Sequence, residues 1–277
     1  MNIFTTLLTQ PLANGLILFY QIFGENLGLA ITFFSVALIF LLRPLTKPSM
    51  DAMNKIRTLA PRIEKLKQKY GSDKLKFSKA QAELYKQEKI NPAAGCLPQI
   101  LQLFVLYALF GVFTTTLSGN GDTIAKLNNL LYQPLKLSAE TTLNTKFLYF
   151  DVTKPDCFGP GKCPSNPFSL PFPLPGVILI LAALSQFVSV KVTSPHIKQE
   201  EKVAKKTEGS GDDMQVAMQK SMTYTLPLMT IFFGMSFPAG LALYWFIFSL
   251  INAAQQIKSS GWGSLTPLVK SISWIKH

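Results

Sequence analysis

Five stretches of this sequence are apolar enough to enter a bilayer: 27–43, 98–117, 174–192, 221–236 and 241–257. Crossing the hydrocarbon takes about 20 residues, with roughly 17 as a lower limit. The second and third stretches are comfortable; the other three are short. Phe237-Pro238-Ala239-Gly240 places a turn signal between the last two, which would otherwise merge into one impossibly long helix. Charged residues make up only 15% of the chain, where soluble proteins carry about a quarter. The sequence therefore predicts an all-α membrane protein with five transmembrane helices.

Lys and Arg placement sets the orientation. Residues 1–27 contain neither, and 44–97 contain twelve, from Lys47 to Lys89. The stretch 119–173 has five, balanced by four acids, while 191–220 has six and the tail after Ile257 three. Placing 1–26, 118–173 and the 237–240 turn outside leaves the basic segments inside, with the N-terminus out and the C-terminus in the cytosol. The net charge of +12 then reads as a positive-inside signature with attraction to anionic headgroups, and needs no specific nucleic-acid partner.

The N-terminal segment has no positively charged n-region, so a cleaved signal peptide is not expected. Residues 11–23 are apolar but too short to cross, and 1–26 read as an outer-face interfacial helix. The tail 258–277 has a similar look on the cytosolic side.

Between the first two spans, 44–97 reads as a cytosolic antiparallel helical hairpin. Met53, Ile56, Ala60, Ile63 and Leu66 recur at helical steps, Gly71-Ser72-Asp73 interrupts, and a second helix from about Lys74 to Lys89 carries Phe77, Ala80, Leu84 and Tyr85. Asn91-Pro92 ends it. Its basic outer face suits a docking arm. The second cytosolic loop, 193–220, includes a Gly-Ser-Gly linker at 209–211.

With three cysteines and two histidines the chain holds neither a disulfide framework nor a multi-ligand zinc site. Cys157 and Cys163, outside the membrane, could form a disulfide closing a small loop. Within the five stretches no Asp, Glu or His occurs, and no HExxH or Gly-rich phosphate loop is present. No enzyme chemistry, metal or cofactor is expected.

The polar residues that do enter the spans have helical phase and are collectively biased toward the inner leaflet. They are Thr32, Ser35 and Arg43 on the first, Gln99 and Gln102 on the second, and Ser185, Gln186 and Ser189 on the third. Asn252 and Gln256 follow on the fifth. Each could be interhelical glue, worth roughly 0.6–2 kcal/mol. Collectively they point to an inner-leaflet hydrophilic groove open to the cytosol and capped by apolar sequence.

At this point the pattern resembles the YidC/Oxa/Alb membrane-protein insertases. The residues that carry the resemblance are Arg43-Pro44-Leu45-Thr46-Lys47, Lys55-Ile56-Arg57, Leu59-Ala60-Pro61 and Leu84-Tyr85-Lys86. To these are added Ile90-Asn91-Pro92-Ala93-Ala94-Gly95-Cys96-Leu97-Pro98, Phe237-Pro238-Ala239-Gly240-Leu241-Ala242-Leu243-Tyr244-Trp245 and Gln255-Gln256. The resemblance implies a five-span insertase of the bacterial-type plasma membrane, without the large periplasmic domain of Gram-negative members. It implies nascent membrane proteins and the lipid bilayer as partners, with the ribosome, the signal recognition particle pathway and the Sec translocon beside them, and no cofactor. Such a protein passes a client's hydrophilic segment through the groove and releases its apolar helix into lipid without nucleotide. A lipid scramblase or small-solute channel using the same groove is the alternative. One departure stands out: the family's groove arginine falls on Ile39 here, and Arg43 lies one helical turn later.

Overall fold

The computed structural model describes residues 3–70, 73–91, 97–117, 123–158, 163, 174–193, 221–266 and 269. The motif at 92–96, the loop at 194–220 and most of the tail beyond 266 lie outside the described residues. The chain divides into two compact units. The first comprises Met1–Leu41, Ile100–Gln186 and Pro227–Ile251; the second comprises Leu42–Gln99, Phe187–Leu226 and Asn252–His277.

Helices dominate. In chain order they are α1 (Gln10–Ile22), α2 (Leu27–Thr58), α3 (Ala60–Tyr70), α4 (Lys74–Gln87), α5 (Leu97–Gly111), α6 (Thr123–Asn128), α7 (Val177–Thr193), α8 (Leu226–Gly234) and α9 (Ala239–Ser260). π-helical turns extend α5 at Val112–Leu117 and precede α8 at Ser221–Thr225. Among the described residues, three helical segments are long and apolar enough to cross a membrane: Leu27–Ile56, Leu97–Thr114 and Ala239–Ser259. Val177–Thr193 is a shorter apolar helix. The protein is an all-α membrane protein.

In the first unit the core is built where apolar faces meet at helical spacing. Leu12, Leu16, Ile17 and Tyr20 of α1 are buried, as are Leu27, Ile31, Phe34 and Leu38 of α2. These two helices approach closely because Gly15 lies against the Phe34 ring: a Cβ there would sit 2.6 Å from Cε2. Between them Gly24 and Glu25 take positive φ values of 71° and 53°, the left-handed geometry that stops a helix and lets the next begin. α1 is thus packed into the first unit along one face.

Helix α2 does not stop at Arg43. It continues through Pro44 and Pro48 to Thr58. Each proline removes one backbone donor, a loss that neighbouring hydroxyls can soften in membrane helices. Thr46, between the two prolines, donates its hydroxyl back toward Leu42 O at 3.2 Å.

The second unit contains α3 and α4, which pack on each other around Leu59, Leu84 and Ile90, with Ile56, Ile63, Leu66 and Tyr85 against that cluster. Asp73 caps α4, its carboxylate accepting from Lys76 N at 3.1 Å and pairing with the Lys76 ammonium at 3.0 Å. These hydrogen bonds hold the Asp73 carboxyl below its ordinary range. Arg62 near the start of α3 pairs with Glu88 just after α4, so the two helices run antiparallel.

Two short β-ribbons interrupt the helical pattern, a feature without a local signal in the sequence. β1 (Lys146–Phe147) pairs antiparallel with β2 (Phe150–Asp151), and β3 (Cys157–Phe158) with β4 (Leu174–Pro175).

Candidate functional site

In the first unit, Thr32 and Ser35 sit on α2, half-buried and buried respectively. Each hydroxyl donates to the carbonyl four residues back, Thr32 to Gly28 O at 2.8 Å and Ser35 to Ile31 O. This is the usual refuge of a hydroxyl in a membrane helix. Their donors are committed, so their remaining capacity is as acceptors. Ser185 on α7 is likewise turned back, toward Ala182 O at 2.9 Å.

The two glutamines of this unit reach across helices instead. Gln186 Oε1 on α7 accepts from the Thr230 hydroxyl on α8 at 2.7 Å. Gln102 Oε1 on α5 accepts from the Tyr244 hydroxyl on α9 at 2.9 Å, in the interior of the unit. Gln102 is only 4% exposed, and its Nε2 finds no hydrogen-bond partner among the described residues. A buried amide with one end paired and one donor unpaired is costly to hold in an apolar interior. The sequence marked Gln102 as a groove candidate and Tyr244 only as part of the resemblance motif; the place of Tyr244 beside Gln102 is set by tertiary packing.

In the second unit, Arg43 and Gln99 are exposed, while Ser189 and Asn252 are half-buried. Gln256 is buried and its Nε2 donates to Asn54 Oδ1 at 3.1 Å, tying α9 to α2. Ile39, where the family pattern carries an arginine, is a buried apolar residue of the first unit at 8% exposure. No group of three or more His, Cys, Asp or Glu suited to a metal occurs among the described residues.

The most developed polar construction is at the other end of the first unit's helices. The stretch from Asn144 to Asp156 supplies caps to three helix N-termini, whose first amides have no partner within their own helix. At α2, Asn26 Oδ1 accepts from Gly28 N and Leu29 N at 3.0 and 3.1 Å, its Nδ2 donates to Lys146 O at 2.9 Å, and Leu27 N donates to Asn144 O at 2.9 Å. At α9, Ala239 N donates to Lys154 O at 2.7 Å and Gly240 N to Val152 O at 2.8 Å. At α7, Asp156 Oδ2 accepts from Ile178 N at 3.0 Å and from the Tyr149 hydroxyl at 2.8 Å. The carboxylate also suits the positive end of the helix dipole.

This clasp gathers the N-termini of α2, α7 and α9 on one side. α1 joins it through Tyr20, whose hydroxyl accepts from Asn144 N at 3.1 Å. Asn14 adds a second tie, donating to Leu130 O at 2.9 Å and accepting from Tyr132 N at 2.7 Å. Burial, reinforced by the Asp156 carboxylate, pushes the Tyr149 phenol up to about 12, so it stays a proton donor. Asp151 behaves oppositely. Burial alone would raise its carboxyl, but hydrogen bonds from the Thr153 hydroxyl and amide, at 2.7 and 3.0 Å, outweigh it and the group is lowered. Next to the clasp Cys157 and Cys163 are joined, with Cα atoms 5.8 Å apart.

The family model described as 60Kd inner membrane protein matches residues 18–261. The chain belongs to this family, the YidC/Oxa family. A relative from Pelobacter propionicus, named membrane protein insertase YidC, is 29% identical over 252 residues, covering 91% of this chain and 38% of the relative. Relatives of the same name from Shewanella baltica and Shewanella halifaxensis are 32% and 31% identical, covering 87% and 90% of this chain and 35% and 36% of their own length. The chain thus spans little more than a third of the length of the curated relatives it matches. The YidC/Oxa match takes in α2, α5, α7 and α9 and with them every candidate groove residue.

Proposed function

We propose that this chain is a membrane-protein insertase that crosses the bilayer five times, N-terminus outside, and offers client chains a polar path from the cytosolic side. Relatives named as insertases support the activity. The observation that carries the mechanism is the one-sidedness of α7. The clasp closes the N-terminal ends of α2, α7 and α9 with backbone hydrogen bonds, and α7 then runs from Val177 to Leu184 without a polar side chain. Ser185, Gln186 and, further along the chain, Ser189 follow on its later turns.

The physical principle is differential solvation. Carrying a client's polar segment through hydrocarbon leaves its groups unsatisfied at several kcal/mol each. Polar side chains on the helices shorten the dry part of that path, Thr32 in the first unit and Arg43, Gln99, Ser189 and Asn252 in the second. Arg43, exposed near the cytosolic end, serves the groove in place of the arginine absent at Ile39 and meets acidic client segments. What barrier remains is offset as the client's apolar helix enters lipid, at about 25 cal/mol per Å². No nucleotide is required. Nascent chains delivered by ribosomes are the clients, and the α3–α4 pair is the arm that receives them.

Reconstitution tests this. The purified chain in liposomes, without nucleotide, inserts a small single-span client with an acidic tail, and Arg43→Ala lowers the yield several-fold while Arg43→Lys retains most of it. Ile39→Arg in the Arg43→Ala background restores insertion. Absence of insertion by the unaltered protein, together with lipid flip or ion flux, overturns the reading in favour of a scramblase or a channel.

A further inference from the structure

The clasp accounts for the backbone of residues 144–158 but not for the side chains they turn outward. Tyr149, Phe158 and Leu174 are 49%, 46% and 68% exposed. They form one patch. The β3–β4 register sets Phe158 opposite Leu174, which makes them cross-strand neighbours. The Tyr149 and Phe158 rings stack with centroids 6.0 Å apart.

The patch stands at the N-terminal end of α7. Ile178 N donates to the Tyr149 hydroxyl at 2.7 Å, and β4 ends at Pro175, just before the helix begins. Beyond it the exposed apolar surface continues without a break along the helix: Val177, Leu181, Leu184 and Val188 are all exposed, at steps that repeat one helical face. The sequence agrees, because no Asp, Glu, Lys or Arg occurs between Lys162 and Lys191. The charge-free run therefore starts well upstream of the helix.

Length supplies the second argument. α7 has 17 residues. At 1.5 Å per residue it covers about 25 Å, short of the roughly 30 Å hydrocarbon core. Ladder pairing of β3 with β4 removes backbone groups that lipid would leave unsatisfied. Tyr149 presents an apolar ring face with its hydroxyl already bonded, the arrangement favoured in aromatic belts at membrane interfaces.

We propose that Phe158 and Leu174 are immersed in the lipid boundary of the leaflet at the N-terminal end of α7, with Tyr149 at its aqueous edge, where the β-ribbon extends the apolar face of a helix at the lower limit of spanning length. The proposal rests on the five-span reading, in which α7 crosses the membrane.

The test is photocrosslinking of the full chain in phosphatidylcholine–phosphatidylglycerol liposomes, with p-benzoylphenylalanine replacing Phe158, Leu184 or Lys136 in turn. Lys136 is an exposed residue of the same outer stretch. Phospholipid adducts, counted by mass spectrometry, are expected at Phe158 at a level comparable with Leu184 and at least tenfold above Lys136. Adducts at Leu184 but not at Phe158 overturn the immersion of the ribbon. Absence at Leu184 as well overturns the spanning of α7 itself and the proposal with it. Where the Phe158 variant does not fold, replacement of Leu174 probes the same patch: adducts there support immersion, and their absence beside a labelled Leu184 overturns it.

Discussion

Tyr149 and Asp156 converge on a single backbone amide: Ile178 N lies 2.7 Å from the phenol oxygen and 3.0 Å from the carboxylate, which are themselves 2.8 Å apart. A side chain far upstream in sequence thus caps α7. Asp156→Ala is expected to destabilise the protein by about 1–3 kcal/mol, through loss of the cap and of the acceptor for the Tyr149 hydroxyl. Tyr149→Phe should cost less, about 1 kcal/mol, because the carboxylate still caps the helix. Thermal unfolding in detergent ranks the two; equal losses would refute the shared-amide geometry.

Titration gives a second check. The Tyr149 phenol is raised from its ordinary value of 10 to about 12. A raised folded value means that its contribution to stability is complete below pH 10, fades between pH 10 and about 12, and is gone above. Ultraviolet tyrosinate absorbance should therefore lose a late-ionising component in Tyr149→Phe. Asp151, held low in the folded state, works the other way: its contribution is full above the ordinary carboxyl range and disappears as pH falls through its folded value.

Gly176, at the clasp, tolerates no side chain. A Cβ there would lie 1.9–2.1 Å from the Asp156 carboxyl group. Gly176→Ala is expected to cost at least about 2 kcal/mol, since overpacking against a capped helix end cannot relax without losing the cap. Gly111, with nothing within 4 Å of an added Cβ, is the control. Gly111→Ala should be neutral or stabilising by up to about 1 kcal/mol. Denaturant midpoints compare them.

Gln102 and Tyr244 should show coupling. Gln102→Leu and Tyr244→Phe each strand one polar partner and are expected to cost about 1–3 kcal/mol singly. The double variant should be milder than the sum, with a coupling of roughly 0.6–2 kcal/mol. A double-mutant cycle measured by thermal unfolding provides the value; strict additivity would show that their 2.9 Å hydrogen bond contributes nothing.

On the α3–α4 pair, apolar contact outweighs charge. Arg62 and Glu88 keep 57% and 38% of their side-chain surface exposed. Glu88→Gln should change stability by no more than about 1 kcal/mol, while Leu59→Ala or Leu84→Ala should cost about 2 kcal/mol or more. Protease resistance of residues 59–90 follows the leucines and not the ion pair.

Much of the architecture was legible in the chain. Apolar runs placed α5, α7 and α9, and the stripe through Ile56, Ile63 and Leu66 marked the face that meets Leu84. Other features had no local signal. The first apolar stretch ends at Arg43, and nothing local to it signals that α2 runs on through Pro44 and Pro48 to Thr58. The clasp has no local signal because Lys154 and Val152 cap α9 with backbone carbonyls, which any residue carries, and because Asp156 is distant in sequence from the helix it caps. Among the groove candidates, sequence identified which side chains were polar, but not that Ser35 turns back to Ile31 or that Gln186 is held by Thr230.

The gathering of three helix starts by one short segment has a mechanical corollary. Rods bound together at one tip can part only at the other, as tongs do. Any breathing of α2, α7 and α9 within the first unit is therefore excluded where Asn144, Val152, Lys154 and Asp156 grip them, and a splaying of α2 from α9 is limited in turn where Gln256 holds Asn54.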